Sequence, residues 1–472
     1  MTKKKFKHII LISLDNLRAD CVSVSSSAYN FRNKYNILTK LRRTELDRLI
    51  EKSVYYDHCL SAASYTSASH ATIFTGFWPA KHGVYEFFNR KLKKPTIFEY
   101  AKECGYTTIF QTDFPVILGK HIGFNKGIDH YFIEDEKKAF EKLVESAKSN
   151  QKTMSLFHFG GIHYPYGFHT YKFGGEDYVK KVEFLEKKYN IKSGSISTDK
   201  HDESYRSDFD KQLLSRYKAI IMKLYDDGLY DDLFSLYVEG INYFFEHRFN
   251  KFLGEIKKFV ERENTLLVIF ADHGEGWDAN CYGHYNSISH EVLHVPLCFY
   301  ARGIKKWKGD TFVRLLDVAP TIVQFLEGVK TKNRMDGQAL HIFNPVSDKS
   351  RNCSVAQFWH HGDREKFIKF RDRVLRKDKI VRPMRTHLVS ETIYDGAYKL
   401  LRNYDKKDKL LEEQFLKRKG WDFFESKSGP KKQMLQRNLK QYNKKFESVE
   451  KSAELSMTQQ LKEHLNNMGY DV

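Results

Sequence analysis

Two runs of the chain are apolar at nearly every position and end in an acid: HIILISLD at residues 8–15 and TLLVIFAD at 265–272. Alternating polar and apolar positions would mark a sheet with one wet face. An unbroken apolar run of this length marks a strand covered on both faces, as in a parallel sheet. Shorter runs are TTIFQTD at 107–113 and MSLFHFGG at 154–161, and stretches of helical period such as ILTKLRRTELDRLIEK at 37–52 lie between the runs. Strands alternating with helices predict an α/β fold, a doubly wound, mostly parallel sheet flanked by helices.

The pattern changes twice. From about 169 to 235 it becomes long, charged, aromatic-rich helices interrupted by KSGSISTDKHDES, which reads as a helical insertion that would serve as a lid. After about 345 Lys and Arg occur at many positions. A single core stops growing at roughly 250–300 residues, so the expected organisation is a catalytic domain over 1–345 and a smaller basic C-terminal subdomain over 346–472, whose last helices are amphipathic and charged.

Composition narrows the class. Apolar residues at 41% and aromatics at 15% exclude wholesale disorder. No run approaches the ~18–20 apolar residues of a membrane helix, and the apolar run behind MTKKKFKH is too short for a signal sequence. A cytoplasmic protein is therefore expected, with Cys21, Cys59, Cys104, Cys281, Cys298 and Cys353 as reduced thiols, no two of them in a C-x-x-C pair. The net charge of +19 favours anionic partners, namely phosphorylated small molecules, nucleic acid or anionic lipid. No basic and aromatic recognition motif singles out nucleic acid.

Chemistry concentrates at the strand ends. In open α/β sheets ligands gather at the carboxyl ends of the strands, so Asp15 can meet Asp272 and His273 there. Two carboxylates and an imidazole suit a divalent cation. Taken singly, an acid after a strand is a helix cap and a D-H-G sequence is a turn. A third segment, SYTSASHATIFTGFWPAKHGV at 64–84, runs from a hydroxyl-rich turn into an apolar helix, whose first N–H groups would bind an oxyanion. Alone, it would be an ordinary Ser/Thr N-cap.

The order of these motifs resembles the sulfatase branch of the alkaline phosphatase superfamily: LISLDNLRAD, TSASHATIFTG with HGV behind it, GIHYPYG, FADHGEGW, HEVLHVPL, LLDVAPTIVQFL, MDGQAL and DGAYKLLRNYD. The likeness covers most of residues 8–425 and implies an alkaline phosphatase-like fold. It further implies a divalent metal ion (Mn²⁺, Zn²⁺ or Ca²⁺) held by Asp15, Asp272 and His273 with the hydroxyl of Thr66. Asn16 stands where sulfatases usually carry a second acid.

Thr66 falls on the nucleophile position, the cysteine of the sulfatase pattern C-x-P-S-R, with Ala68 for the Pro and His70 for the Arg. A threonine cannot be oxidised to the formylglycine that sulfatases use. Superfamily members with threonine here include lipoteichoic acid synthases, phosphoethanolamine transferases and nucleotide pyrophosphatase/phosphodiesterases. The resemblance thus implies a phosphoester hydrolase, a phosphodiesterase or phosphomonoesterase, working through a covalent phospho-threonine, with an anionic phosphorylated substrate. The alternatives are a phosphotransferase delivering to an alcohol, a sulfatase-like protein without catalysis, a sulfatase and a nuclease. His163 of GIHYPYG and His284 of CYGHY match substrate-contacting or second-metal histidines, and His70 lies about one helical turn from Thr66. His82, His290 and His294 are weaker candidates, and His360 and His361 belong to no motif.

Overall fold

The computed structural model describes residues 5–85, 91–115, 117–120, 122–171, 177–191, 208–279, 281–284, 287–329, 334–345, 353–360, 387–405 and 407–444. Among these, eleven strands belong to the first part of the chain. They are β1 (His8–Leu14), β2 (Val54–Leu60), β3 (Tyr106–Thr112), β4 (His130–Ile133), β5 (Lys152–Phe159), β6 (Thr265–Phe270), β7 (Trp277–Asp278), β8 (Cys281–Tyr282), β9 (His294–Val295), β10 (Leu297–Ala301) and β11 (Trp307–Arg314). Apart from the hairpin of β7 and β8 they form one sheet in the order β11-β2-β10-β6-β1-β5-β3-β4, with β9 beside β2.

The sheet is mostly parallel, with β10 antiparallel to both neighbours and β9 antiparallel to β2. As the unbroken apolar run requires, β1 lies at the centre and every residue of it is buried. Burying each of its Ile and Leu side chains contributes roughly 1.5–3 kcal/mol. Ser13 is set in register with His158 of β5 and Phe270 of β6, so the carboxyl end of β1 carries polar side chains where the rest of the strand is largely apolar.

The helix Thr66–Thr75 is buried at all ten positions despite its hydroxyls. Thr72 and Thr75 satisfy theirs within the helix by donating to the carbonyls of Ala68 (3.0 Å) and Ala71 (2.7 Å). The helix stops at Gly76, which is left-handed (φ 68°) and whose Cβ would meet Met335 Sδ at 2.9 Å. The Gly76 carbonyl accepts from the N–H groups of Asp336 and Gly337, so the MDGQAL segment buttresses the end of this helix.

The aromatic-rich stretch forms the helices Asp177–Lys188, Asp208–Asp226 and Tyr230–Phe244, and helix continues past 235 through a π-helical turn, Phe245–Phe249, into Asn250–Arg262. Tyr178, Tyr217, Tyr237 and Leu253 on these helices are buried in the same core as β1. The segment expected as a cover is therefore also a structural wall of the domain.

The C-terminal part, for which the sequence predicts only the last helices, is built on strands. It is a five-stranded antiparallel sheet of β12 (Ser354–His360), β13 (His387–Tyr394), β14 (Tyr398–Tyr404), β15 (Leu410–Lys419) and β16 (Asp422–Glu425) in sequential order. A helix over 430–444 lays Leu435 and Leu439 against Val355, Ile393, Leu400 and Phe415. Residues 445–472, where the last amphipathic helices were expected, lie outside the described residues. The strands escape notice because many of their outward positions are charged, as at Glu412, Lys417 and Lys419 of β15. All six cysteines are free thiols, as expected. Among the described residues no helix is long and apolar enough to cross a membrane.

Candidate active site

The strand order brings the expected residues together. Asp15 follows β1, Asp272 and His273 follow β6, and β1 pairs directly with β6. Carboxylate oxygens of Asp15 and Asp272 and a ring nitrogen of His273 lie within 4.8 Å of one another, all fully buried. Thr66 is the first residue of its helix, and its Oγ1 is 3.2 Å from Asp15 Oδ2 and 3.2 Å from His273 Nε2. The N-cap is Tyr65, and no side-chain capping bond is made there. The Thr66 hydroxyl therefore faces the acids, and the ordinary reading of this segment as a Ser/Thr cap fails.

Three oxygens point to a cation. Asp15 Oδ1, Asn16 Oδ1 and Asp272 Oδ2 are buried and accept no hydrogen bond, an arrangement that costs free energy unless a positive charge balances it. Burial drives the Asp15 carboxyl up to about 7, although the His273 imidazole and the Thr66 hydroxyl bond pull it down. Burial opposes a charge on His273 too, but Asp272 and Asp15 outweigh it and raise that imidazole. Two carboxylates, an amide oxygen, an imidazole and a hydroxyl fit a divalent metal ion.

The surrounding side chains fix this group. His70 donates from Nδ1 to the Thr66 carbonyl (2.8 Å) and its Nε2 accepts from Ser13 Oγ (2.9 Å), so both ring nitrogens are used inside the protein. Burial holds its imidazole down at about 3. Ser69 Oγ donates to the Asp272 carbonyl at 2.8 Å. His158 Nε2 is 3.0 Å from Asp15 Oδ2, and its Nδ1 is 3.1 Å from Thr112 Oγ1.

On the other side Asn16, itself left-handed at φ 71°, donates from Nδ2 to Glu275 Oε2 at 2.9 Å. The ring of His284 stacks on His273 at 4.3 Å, and that of His163 lies 5.0 Å from His284. Burial, with neighbouring histidines, keeps both His163 and His284 well below the ordinary imidazole value. Beyond them, Tyr164 and Tyr282 approach at 6.3 Å, and Tyr225 of the helix Asp208–Asp226 lies 4.7 Å from Tyr282. That helix thus borders the site.

Asp15, Asn16, Thr66, His70, Asp272, His273, His284 and His163 are therefore neighbours. The weaker candidates are not among them. His82 bonds Thr72 at 3.0 Å, while His290 and His294 stack with each other and with Trp421 of the C-terminal part. His361 lies outside the described residues, as does the side chain of His360. Sequence reasoning missed His158, Glu275 and Tyr166, although a lone His near the end of an apolar strand and an acid inside D-H-G-E were visible signals.

The sulfatase family model matches residues 7–329. The chain belongs to the sulfatase family. A curated relative of this family member is the low-salt glycan biosynthesis sulfotransferase Agl7 of Haloferax volcanii, 23% identical over 359 residues, 73% of this chain and 72% of that protein. A shorter match, 32% identical over 88 residues, covers 19% of this chain and 16% of the 2,3-bisphosphoglycerate-independent phosphoglycerate mutase of Listeria welshimeri.

Solved structures share the fold of this sulfatase-family chain. A protein in complex with its substrate D-glucosamine-2-N,6-O-disulfate superposes with a TM-score of 0.63 at 15% identity, over 94% of this chain and 99% of that one. For the phosphonate monoester hydrolase of Agrobacterium radiobacter the values are 0.55 and 14%, over 94% and 95%. For the lipoteichoic acid synthase LtaP of Listeria monocytogenes they are 0.53 and 13%, over 96% and 93%. The fold is alkaline phosphatase-like, and the chain is a hydrolase or transferase of the sulfatase superfamily. Members are metal-dependent, and the Asp15, Asp272 and His273 group offers a metal site.

Proposed function

We propose that this sulfatase-family chain is a phosphoester hydrolase that works through a covalent phospho-threonine on Thr66. The observation that carries this reading is the buried Thr66 hydroxyl, 3.2 Å from both Asp15 and His273 at the first turn of a buried helix. Asp15, Asn16, Asp272 and His273, with that hydroxyl, would hold a divalent metal ion (Mn²⁺, Zn²⁺ or Ca²⁺). When bound, the ion lowers the pKa of a coordinated hydroxyl and offsets charge on the ester oxygens.

The chain's own residues do the rest. Thr66 Oγ1 attacks phosphorus, an O–P bond forms and the ester P–O bond breaks. The proton that Thr66 Oγ1 gives up on attack passes to the leaving alcohol, carried by a neutral imidazole beside the site, for which His163 and His284 are the candidates. The first N–H groups of the helix Thr66–Thr75 have no partner within the helix and stabilise the phosphoryl oxygens. Water then attacks the phospho-threonine, releasing phosphate and restoring Thr66. His70, bonded to the Thr66 carbonyl, holds the nucleophile's turn in place.

A second reading is transfer to an alcohol in place of water. It is favoured by the Haloferax relative, a sulfotransferase, and by the LtaP likeness. The test is a panel of p-nitrophenyl phosphate, bis-p-nitrophenyl phosphate, an aryl phosphonate and p-nitrophenyl sulfate, with and without Mn²⁺, Zn²⁺ or Ca²⁺ and added alcohol acceptors. Metal-dependent phosphoester cleavage with an adduct of about 80 Da on Thr66 supports the reading. Cleavage of the sulfate alone overturns it.

A further inference from the structure

Glu275 is fully buried, yet it stands outside the acids and imidazoles that converge on one point, which among the described residues are Asp15, Asp272 and His273. Its carboxylate instead reaches three side chains. Oε2 accepts from Asn16 Nδ2 at 2.9 Å and from the Tyr166 hydroxyl at 3.3 Å, and both of its oxygens lie 3.3 Å from His284 Nδ1. The chain passes closely over this carboxylate at Gly283, where a Cβ would lie 2.7 Å from Oε1 and φ is +65°. Its backbone is also fixed, since Arg18 Nη1 donates to the Glu275 carbonyl at 2.8 Å. Tyr237, whose hydroxyl meets the Arg18 N–H, donates to the Asn16 carbonyl at 2.6 Å.

Hydrogen-bond chemistry then constrains both neighbours. An amide that gives its N–H to a carboxylate must turn its oxygen the other way, and Asn16 Oδ1 is one of the buried oxygens without a hydrogen bond. An imidazole whose Nδ1 faces a carboxylate carries its proton there, which leaves Nε2 as its lone-pair nitrogen. One carboxylate thereby fixes the orientation of two groups of different purpose.

We propose that Glu275 is a positioning residue that ties the cation site, through Asn16, to His284, so that ion binding and the orientation of that imidazole depend on one side chain. This rests on the reading of the Asp15, Asn16, Asp272 and His273 group as a cation site.

The test is Glu275→Gln in the full chain, with Asn16→Ala and the double variant beside it, each checked for folding by circular dichroism. Mn²⁺ affinity is read by calorimetry, without any substrate. Glu275→Gln is expected to weaken Mn²⁺ binding about 10–100-fold, as loss of a group that orients a ligand does. The double variant is expected to bind no more weakly than Asn16→Ala alone, because the effect runs through Asn16. His284→Ala and Glu275→Gln should likewise fail to add in kcat. Unchanged Mn²⁺ affinity in folded Glu275→Gln overturns the proposal, as do additive losses with Asn16→Ala, or a wild-type chain that binds none of Mn²⁺, Zn²⁺ and Ca²⁺. Should Glu275→Gln not fold, Glu275→Asp, which keeps the charge but withdraws it by a methylene, takes its place in the same measurements, and the same outcomes support or overturn the proposal. Because affinity is measured without turnover, a wild-type chain that binds Mn²⁺ yet cleaves no phosphoester would overturn the proposed function and leave this test intact.

Discussion

Arg248 closes on Asp113 with two hydrogen bonds, Nη1 to Oδ2 at 2.7 Å and Nη2 to Oδ1 at 2.9 Å, although 135 residues separate them. Arg248 sits in the π-helical turn Phe245–Phe249, Asp113 follows β3, and both are almost fully buried. The same guanidinium reaches Glu136, and Asp113 also accepts from the Gly160 N–H at the end of β5. Burial would push the Asp113 carboxyl up, but the Arg248 charge and these bonds hold it below the usual carboxylate range.

Arg248→Met leaves Asp113 buried and uncompensated. Loss of one member of such a pair costs about 3–5 kcal/mol, read as a lower urea midpoint. A depressed carboxyl lends stability that is present above its unfolded value of about 3.9 and is lost as the pH falls below it. The variant should therefore lose the part of acid unfolding that belongs to Asp113. An unchanged midpoint would show the pair to be energetically neutral.

Thr66→Ala should leave the fold intact and lower turnover by several orders of magnitude, by analogy with about 10⁶-fold when a covalent nucleophile is removed. Thr66→Ser should keep part of the activity. Ser69, which bonds the Asp272 carbonyl, should matter through position, so Ser69→Ala should lower activity less than Thr66→Ala. If Thr66→Ala stays active, the nucleophile is another hydroxyl, and Ser67→Ala is the next variant.

His82 is buried with its Nδ1 accepting from the Val84 N–H at 3.2 Å, a place where a second ring proton cannot go. Burial lowers its imidazole to about 3. A histidine depressed by folding binds fewer protons in the folded chain than in the unfolded one below about 6.5, so stability is lost as the pH falls from there. The loss is about 1.4 kcal/mol per pH unit for each such group. Urea titrations at descending pH should show this slope, and His82→Gln should reduce it by one proton's worth. An equal slope in wild type and variant would contradict the neutral, buried state.

Removing the helical stretch 169–235 outright would strip Tyr178 and Tyr217 from the core, so unfolding is the expected result. The sharper probe is Tyr225→Ala, half-buried on the outer part of that wall and packed on Tyr282. It should raise KM for bulky diesters more than for p-nitrophenyl phosphate, with kcat little changed. Equal effects on large and small esters would remove this helix from substrate choice.

The centre of the molecule was legible in the sequence because its rules are local. HIILISLD and TLLVIFAD could be nothing but covered strands, and their terminal acids meet because strand ends share one edge of the sheet. Two things were hidden. The C-terminal strands carry many charged outward positions, so β15 shows no unbroken apolar run, and its place follows only from its antiparallel partners. Glu275 and Tyr166 acquire their meaning only from each other, being 109 residues apart.

The place of β10 bears on the order in which the site can be assembled. Within the sheet, β2, which leads to Thr66, touches β6 and β1, which lead to Asp272 and Asp15, only through β10. A growing polypeptide therefore presents Asp15 and the Thr66 segment long before, and Asp272 only shortly before, the strand that unites them, Leu297–Ala301, leaves the ribosome. Pairings this distant in sequence form late. The proposed nucleophile and the acids proposed to hold the metal thus reach their final register only once nearly two thirds of the polypeptide exists.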